Sequence, residues 1–173
     1  MTKNLTIYYS RKGQNYVNGR IECLNIGNTE ICAEYIQKSV GGDMFEIRTV
    51  DDYSKDYHTC TKEAEHDLKN NARPKLIKYL DNIDTYENVF ICGPCWWGTF
   101  PMPVFSQIER LNFSGKKVMI LMTHEGSGLG NSEYDLRTIC KGAIFGKSIA
   151  VRGADCAKAE KDIELWAKSN LRI

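Results

Sequence analysis

No stretch of this 173-residue chain is apolar over enough positions to span a bilayer, and neither sign of charge prevails. Lysine and arginine number 23 against 22 aspartates and glutamates, a formal net charge of +1. That balance lacks the electrostatic footprint of a protein that grips nucleic acid or an anionic membrane. Histidines number only three, and three of the four prolines crowd into residues 94–103. Neither G-x-x-x-x-G-K-[ST] nor G-x-G-x-x-G occurs, which excludes a P-loop and a Rossmann fingerprint. The seven cysteines are odd in number, do not fall at metal-ligand spacing and lie mostly in apolar stretches. They read as reduced thiols of a cytoplasmic protein. With a strand entered by Leu5, the start of the chain leaves no room for a signal peptide. The length suits one domain, residues 1–173, with a real core.

What is present is an alternation of apolar strands and amphipathic helices. Leu5 to Tyr9 reads as a strand buried on both faces, followed directly by Ser10. Residues 11–26 are polar and read as a long loop or short excursion. Gly27-Asn28-Thr29 precedes a helical pattern that ends at Gly41-Gly42. Met44 to Val50 alternates like a strand, and Thr59 to Asn70 carries the narrow apolar stripe of a surface helix. Leu76, Ile77 and Leu80 suggest one more apolar turn or two. Val89 to Cys92 and Lys117 to Met122 read as further buried strands, the first followed by a helix through Val104 and Ile108. Ser132 and Asp135 have the spacing of a capping box for a helix bearing Leu136 and Ile139. A last strand near Ser148 to Val151 and a last helix through Ile163 and Trp166 complete the pattern. Such alternation implies a five-stranded, doubly wound parallel sheet covered on both faces.

In that architecture ligands bind outside the carboxyl ends of the strands, at the switch point. Three loops are thereby selected, after Ser10, after Cys92 and after Met122. Ser10 at a strand end and Asn28 and Thr29 at a helix start would offer hydroxyls and free N–H groups, which favours an anion such as phosphate. Read alone, Asn28 or Thr29 is an ordinary N-cap. The second loop, Pro94-Cys95-Trp96-Trp97-Gly98, carries two adjacent tryptophans outside any periodic pattern. A planar aromatic ligand stacked on one of them competes with core packing or an oligomer contact. The third loop runs Thr123-His124-Glu125-Gly126-Ser127-Gly128-Leu129-Gly130. Its glycines would let backbone approach a heteroaromatic edge closely, where the bland alternative is a flexible turn. A phosphate pocket, a stacking wall and a polar backbone edge together fit flavin mononucleotide, FMN.

The motifs YYSRKG at 8–13, GNTE at 27–30, GPCWWGTFPMPV at 93–104 and THEGSGLGNS at 123–132 resemble those of the flavodoxin-like FMN proteins. The likeness extends over essentially the whole chain. It is nearest to the subgroup with an insertion before GNT and a P-x-W-W second loop. It implies a three-layer fold of strand order 2-1-3-4-5 and an electron-transfer role with a redox partner protein or a small-molecule acceptor. An FMN-dependent NAD(P)H:quinone or nitro-compound reductase is the alternative, and a binding domain that has lost its cofactor a third. By the same resemblance Ser10, Asn28, Thr29 and the Arg11 backbone would hold the phosphate. Pro94 to Gly98 and Thr123 to Gly130 would then flank the ring. Three departures stand out: Cys92-Gly93-Pro94-Cys95 in the second loop, Glu125 where the family usually has glycine, and a near-neutral charge.

C-G-P-C is also the thioredoxin tetrapeptide, so a thiol-disulfide oxidoreductase acting through Cys92 and Cys95 is a further reading. That chemistry needs a thiolate at a helix start. Here Cys92 ends a strand, and Trp-Trp-Gly-Thr-Phe-Pro follows Cys95.

Overall fold

The computed structural model describes residues 3–171. Its central sheet contains β1 (Asn4–Tyr8), β4 (Asp43–Glu46), β5 (Asn88–Pro94), β6 (Lys117–His124), β7 (Ile144–Phe145) and β8 (Ile149–Arg152). The order is β4-β1-β5-β6-β7, every pairing is parallel, and β8 continues on the same strand, β6, beyond β7. Counting β7 and β8 as one broken edge strand gives five positions in the order 2-1-3-4-5. The expected flavodoxin-like fold is therefore observed.

Pleating divides the apolar runs between two layers. Leu5, Ile7, Val89, Ile91, Val118 and Ile120 face one core with Val104, Phe105 and Ile108 of α3 (Met102–Ile108) and Leu136 of α4 (Ser132–Ile139). Tyr8, Phe90, Cys92, Met119 and Leu121 face the other. There they meet Cys32 and Ile36 of α1 (Asn28–Val40) and Ile163 and Trp166 of α5 (Glu160–Leu171). Phe90 and Ile91, adjacent in β5, are both fully buried, each in a different core. Burial of side chains of this size contributes on the order of 2–3 kcal/mol apiece, which makes β5 and β6 the fixed frame of the molecule.

Four local expectations are corrected. Residues 11–26 are chiefly an antiparallel hairpin, β2 (Gly13–Val17) and β3 (Arg20–Leu24), rather than a loop. Asn18 and Gly19 form its two-residue turn at φ of 51° and 88°, the conformation that Asn-Gly adopts most readily. The strand expected to reach Val50 stops at Glu46, after which Thr49 makes only an isolated antiparallel bridge to Leu76. That bridge holds residues 76–80 in an irregular path instead of a helical turn. Finally, the capping box does not form, because Asp135 accepts a 2.5 Å bond from the Thr99 hydroxyl. Asn131 is the N-cap, and the Ser132 hydroxyl is buried without a partner. The surface helix appears as α2 (Tyr57–Lys69), capped by the Asp56 carboxylate on the Thr59 N–H.

Candidate functional site

The carboxyl ends of β1, β5 and β6 deliver the three loops to one place. Behind β1, Ser10 turns its hydroxyl to the start of α1 and accepts the Glu30 N–H at 3.0 Å. The cap of this helix thus comes from a distant strand, since Gly27 at the N-cap position offers no side chain. The Gly27 carbonyl accepts the Ile31 N–H, which leaves the Asn28 and Thr29 N–H groups without a helical acceptor. Thr29 is buried and shares a 2.8 Å hydroxyl contact with Thr123 at the end of β6. Neither Asn28 nor Thr29 is the N-cap, so their polar groups are not consumed by capping.

The second loop is a tight reversal. Trp96 and Thr99 exchange N–H···O bonds of 2.8 and 3.3 Å around Trp97 and Gly98, whose φ values are 54° and 84°. A bulky aromatic residue at positive φ costs on the order of 1 kcal/mol or more, and something must hold it there. The Trp97 indole N–H does so by donating to the Thr61 carbonyl of α2 at 2.9 Å. Trp96 points inward. Its ring meets Tyr9 at 5.4 Å and Tyr53 at 5.1 Å, both edge-to-face, and Tyr53 is fixed in turn by Asp67 at 2.6 Å. The two tryptophans therefore divide the work: Trp96 presents a braced ring, and Trp97 anchors the loop from outside.

The third loop is locked to the second. The Asn131 N–H donates to the Gly98 carbonyl at 2.7 Å, and a Cβ on Gly130 would lie 2.2 Å from that same oxygen. Glu125 departs from the loop and turns inward. One of its oxygens accepts the Asn18 N–H of the hairpin at 3.0 Å, with the Arg152 Nε 3.7 Å away. The other, Oε1, is buried with no hydrogen-bond partner.

These loops enclose a crevice of about 120 Å³. It gathers Arg11, Asn28, Thr29, Pro94, Cys95, Trp96, Thr123, His124 and Glu125, nine of the residues expected from the sequence. Ser10, Trp97, Gly98, Gly126, Ser127, Gly128 and Gly130 do not line it. Ser10 faces a wider cleft of about 1060 Å³ that shares Arg11 with the crevice and lies at the ends of β1 and β4. Its size does not make it the better candidate, because only the smaller crevice is reached by all three loops. Asn15, Tyr16, Tyr57 and Gly153 also line the crevice and were not anticipated. Asn15 and Tyr16 arrive on the hairpin, which the Asn-Gly pair at 18–19 could have revealed. Tyr16 stacks on Tyr57 with ring centres 6.2 Å apart, and Gln14 accepts the Tyr57 N–H at 2.8 Å. The hairpin thus rests on α2 at one side and on Glu125 at the other, roofing the crevice.

The C-G-P-C thiols are poorly placed for disulfide chemistry. Cys92 is completely buried in β5, and burial pushes its thiol far above the usual range. Burial also raises the Cys95 thiol, against weaker opposing hydrogen bonds from Ser127 and the Gly98 backbone. A thiolate needs an electropositive, partly exposed setting, which the fully buried Cys92 lacks, and at the half-buried Cys95 burial outweighs the opposing hydrogen bonds. All seven cysteines are free, and Cys23 on the hairpin is the exposed one. Under native conditions a thiol reagent should modify Cys23 first, Cys95 slowly and Cys92 only on unfolding, as counted by peptide mass spectrometry. Rapid native labelling of Cys92 would contradict this ordering.

Comparison with known proteins agrees with the fold. No curated protein matches the chain. A candidate flavoprotein from Bacteroides eggerthii is 25% identical and superposes with a TM-score of 0.78, each chain covered completely. A second, from Bacteroides uniformis, is 24% identical with a TM-score of 0.74, over 96% of this chain and 98% of that one. A flavoprotein from Lactobacillus acidophilus, crystallised with FMN, is 19% identical with a TM-score of 0.63 over 96% of this chain and 99% of its own. The family model described as flavodoxin matches residues 23–169, from the second hairpin strand to the last helix. With that match and the 2-1-3-4-5 sheet, the chain belongs to the flavodoxin family.

Proposed function

We propose that the chain, as one domain over residues 1–173, binds FMN in the three-loop crevice and transfers electrons through it. The observation that carries this reading is the convergence of nine anticipated residues at the carboxyl ends of β1, β5 and β6. Donor chemistry there suits the group. Two N–H groups without helical acceptors open α1, Arg11 lines the same crevice, and the helix dipole favours an anion at that end. The braced Trp96 ring supplies a flat apolar face, backed by two tyrosines.

On this reading Ser10, Arg11, Asn28 and Thr29 hold the phosphate, Pro94 to Gly98 shape one side of the ring pocket, and Thr123 to Gly130 shape the other. Ser10 acts through the helix: by capping Glu30 it leaves the Asn28 and Thr29 donors for the ligand. Trp97 and Gly98 act through the loop, fixing where Trp96 stands. Gly130 brings the third loop against the second, which keeps Cys95 and Thr123 in register, joined by a 2.8 Å N–H···O bond. Bound FMN would supply the redox chemistry, and the protein would set its access and potential.

Protein at low ionic strength should turn yellow with added FMN, shift the flavin visible band and quench flavin fluorescence at one equivalent. Unquenched FMN and colourless protein after dialysis would refute the cofactor assignment.

A second reading, an FMN-dependent reductase of quinones or nitro compounds, draws on two observations. The hairpin covers the crevice, where a protein partner would need to approach, and the net charge of +1 gives little steering toward one. Anaerobic reduction distinguishes the two: separate one-electron steps mark a carrier, whereas a single two-electron step with NAD(P)H turnover marks a reductase. Among the described residues no helix is long and apolar enough to cross a membrane, and the seven free thiols suit a reducing compartment. We place the protein in the cytoplasm on that basis.

A further inference from the structure

Glu125 is the residue that the site explains least. A carboxylate oxygen buried without a donor is costly, and such atoms call for a reason. Its position supplies one. A Cβ built on Gly153 would lie 2.3 Å from Glu125 Oε1 and 2.7 Å from the Asn28 side-chain nitrogen, so the carboxylate sits at the opening turn of α1. Its second oxygen takes the hairpin's Asn18 N–H, and Arg152 approaches both Glu125 and the Asn18 side-chain amide oxygen, at 3.7 and 3.5 Å. The crevice beneath the hairpin, about 120 Å³, is well below the roughly 300–1,000 Å³ of ordinary ligand pockets. The crevice as it stands is smaller than FMN, and Asn15 and Tyr16 of the hairpin are among the residues that bound it.

We infer that Glu125 is a specificity-determining residue, an internal anion that stands where the ligand's phosphate binds and holds the hairpin shut until that phosphate displaces it. The inference rests on the FMN reading and adds competition between two anions for one set of donors. Asn28 and the α1 N-terminus attract either anion, but like charges at this separation repel, so both do not stay. When the phosphate arrives, Glu125 swings away and its bond to Asn18 is lost. The hairpin then keeps its contacts with Tyr57, through Tyr16 and Gln14, with Arg11, and with Arg152 through the Asn18 side chain.

The test compares wild type with Glu125→Gln and Glu125→Ala. Flavin fluorescence follows binding of FMN and of riboflavin, and amide hydrogen exchange follows hairpin residues 15–21 in the absence of flavin, with and without inorganic phosphate. Glu125→Gln removes the charge and should tighten FMN about tenfold while leaving riboflavin unchanged. In wild type, phosphate should speed hairpin exchange severalfold. In Glu125→Ala, exchange should be fast already and indifferent to phosphate. Equal tightening of both flavins, or none, overturns the competition, as does hairpin exchange that is alike in all three proteins. Should no protein bind FMN, the cofactor reading falls by itself, and the phosphate-dependent exchange still decides whether Glu125 guards an anion site.

Discussion

Truncating Phe100 to alanine should destabilise the protein by about 3–5 kcal/mol, the range for emptying a large buried aromatic site. For a chain of this length that corresponds to a fall in Tm of roughly 10 °C. Phe100 is completely buried, and its ring fills the space beside Gly93, where a Cβ would lie 2.6 Å from one ring carbon. The ring therefore closes the gap that the Gly93 backbone leaves at the end of β5. It also sits one residue beyond the Trp96–Thr99 reversal, so its loss should loosen the second loop as well as the core. Urea unfolding measures the first effect, and the near-ultraviolet circular dichroism of the Trp96–Tyr9–Tyr53 cluster reports the second. A variant with unchanged midpoint and spectrum would show that Phe100 is not the support of this loop.

Replacing Gly27 with alanine should cost less stability, about 1–3 kcal/mol from overpacking, but should weaken FMN binding at least tenfold. The backbone there has φ −68°, which any residue adopts, so the demand is for space alone. A Cβ would stand 2.1 Å from the Ser10 hydroxyl and 2.7 Å from the Arg11 carbonyl oxygen. Ser10 can rotate away only by giving up the Glu30 N–H, a cap worth about 1 kcal/mol, and the Arg11 carbonyl is held by the Asn15 side-chain N–H at 2.9 Å. Relief then requires α1 to retreat from the first loop, carrying the Asn28 and Thr29 donors with it. Parallel FMN titration and denaturant unfolding check both halves. Unchanged FMN affinity would remove α1 from the phosphate site.

Much of this architecture was legible because parallel strands buried on both faces leave unmistakable apolar runs, as in Val89–Cys92 and Val118–Met122. The rule that ligands gather at carboxyl strand ends then marked the three loops. The hairpin was harder to see. Its strands are short, polar and half exposed, with only Tyr16, Val17 and Ile21 to suggest a β pattern. The Asn18-Gly19 turn was a usable signal that the surrounding polarity obscured. The failed capping box is a different lesson. Ser132 and Asp135 have the right spacing, but Thr99 from another loop offers Asp135 a better donor.

The sequence by itself determined the layers and the neighbourhood of the site, because these depend on hydrophobic period and chain order, whereas the strand order was implied by the family resemblance. Which side chains face the crevice was decided only by tertiary structure. Trp96 and Trp97 are chemically identical neighbours, yet a positive φ at Trp97 and its bond to Thr61 send one ring inward and one outward. Ser10 caps a helix that begins eighteen residues later, and Glu125 meets a hairpin tip 107 residues away in the chain. Such contacts between distant segments are set by how the loops pack over the sheet ends, and no local pattern encodes them.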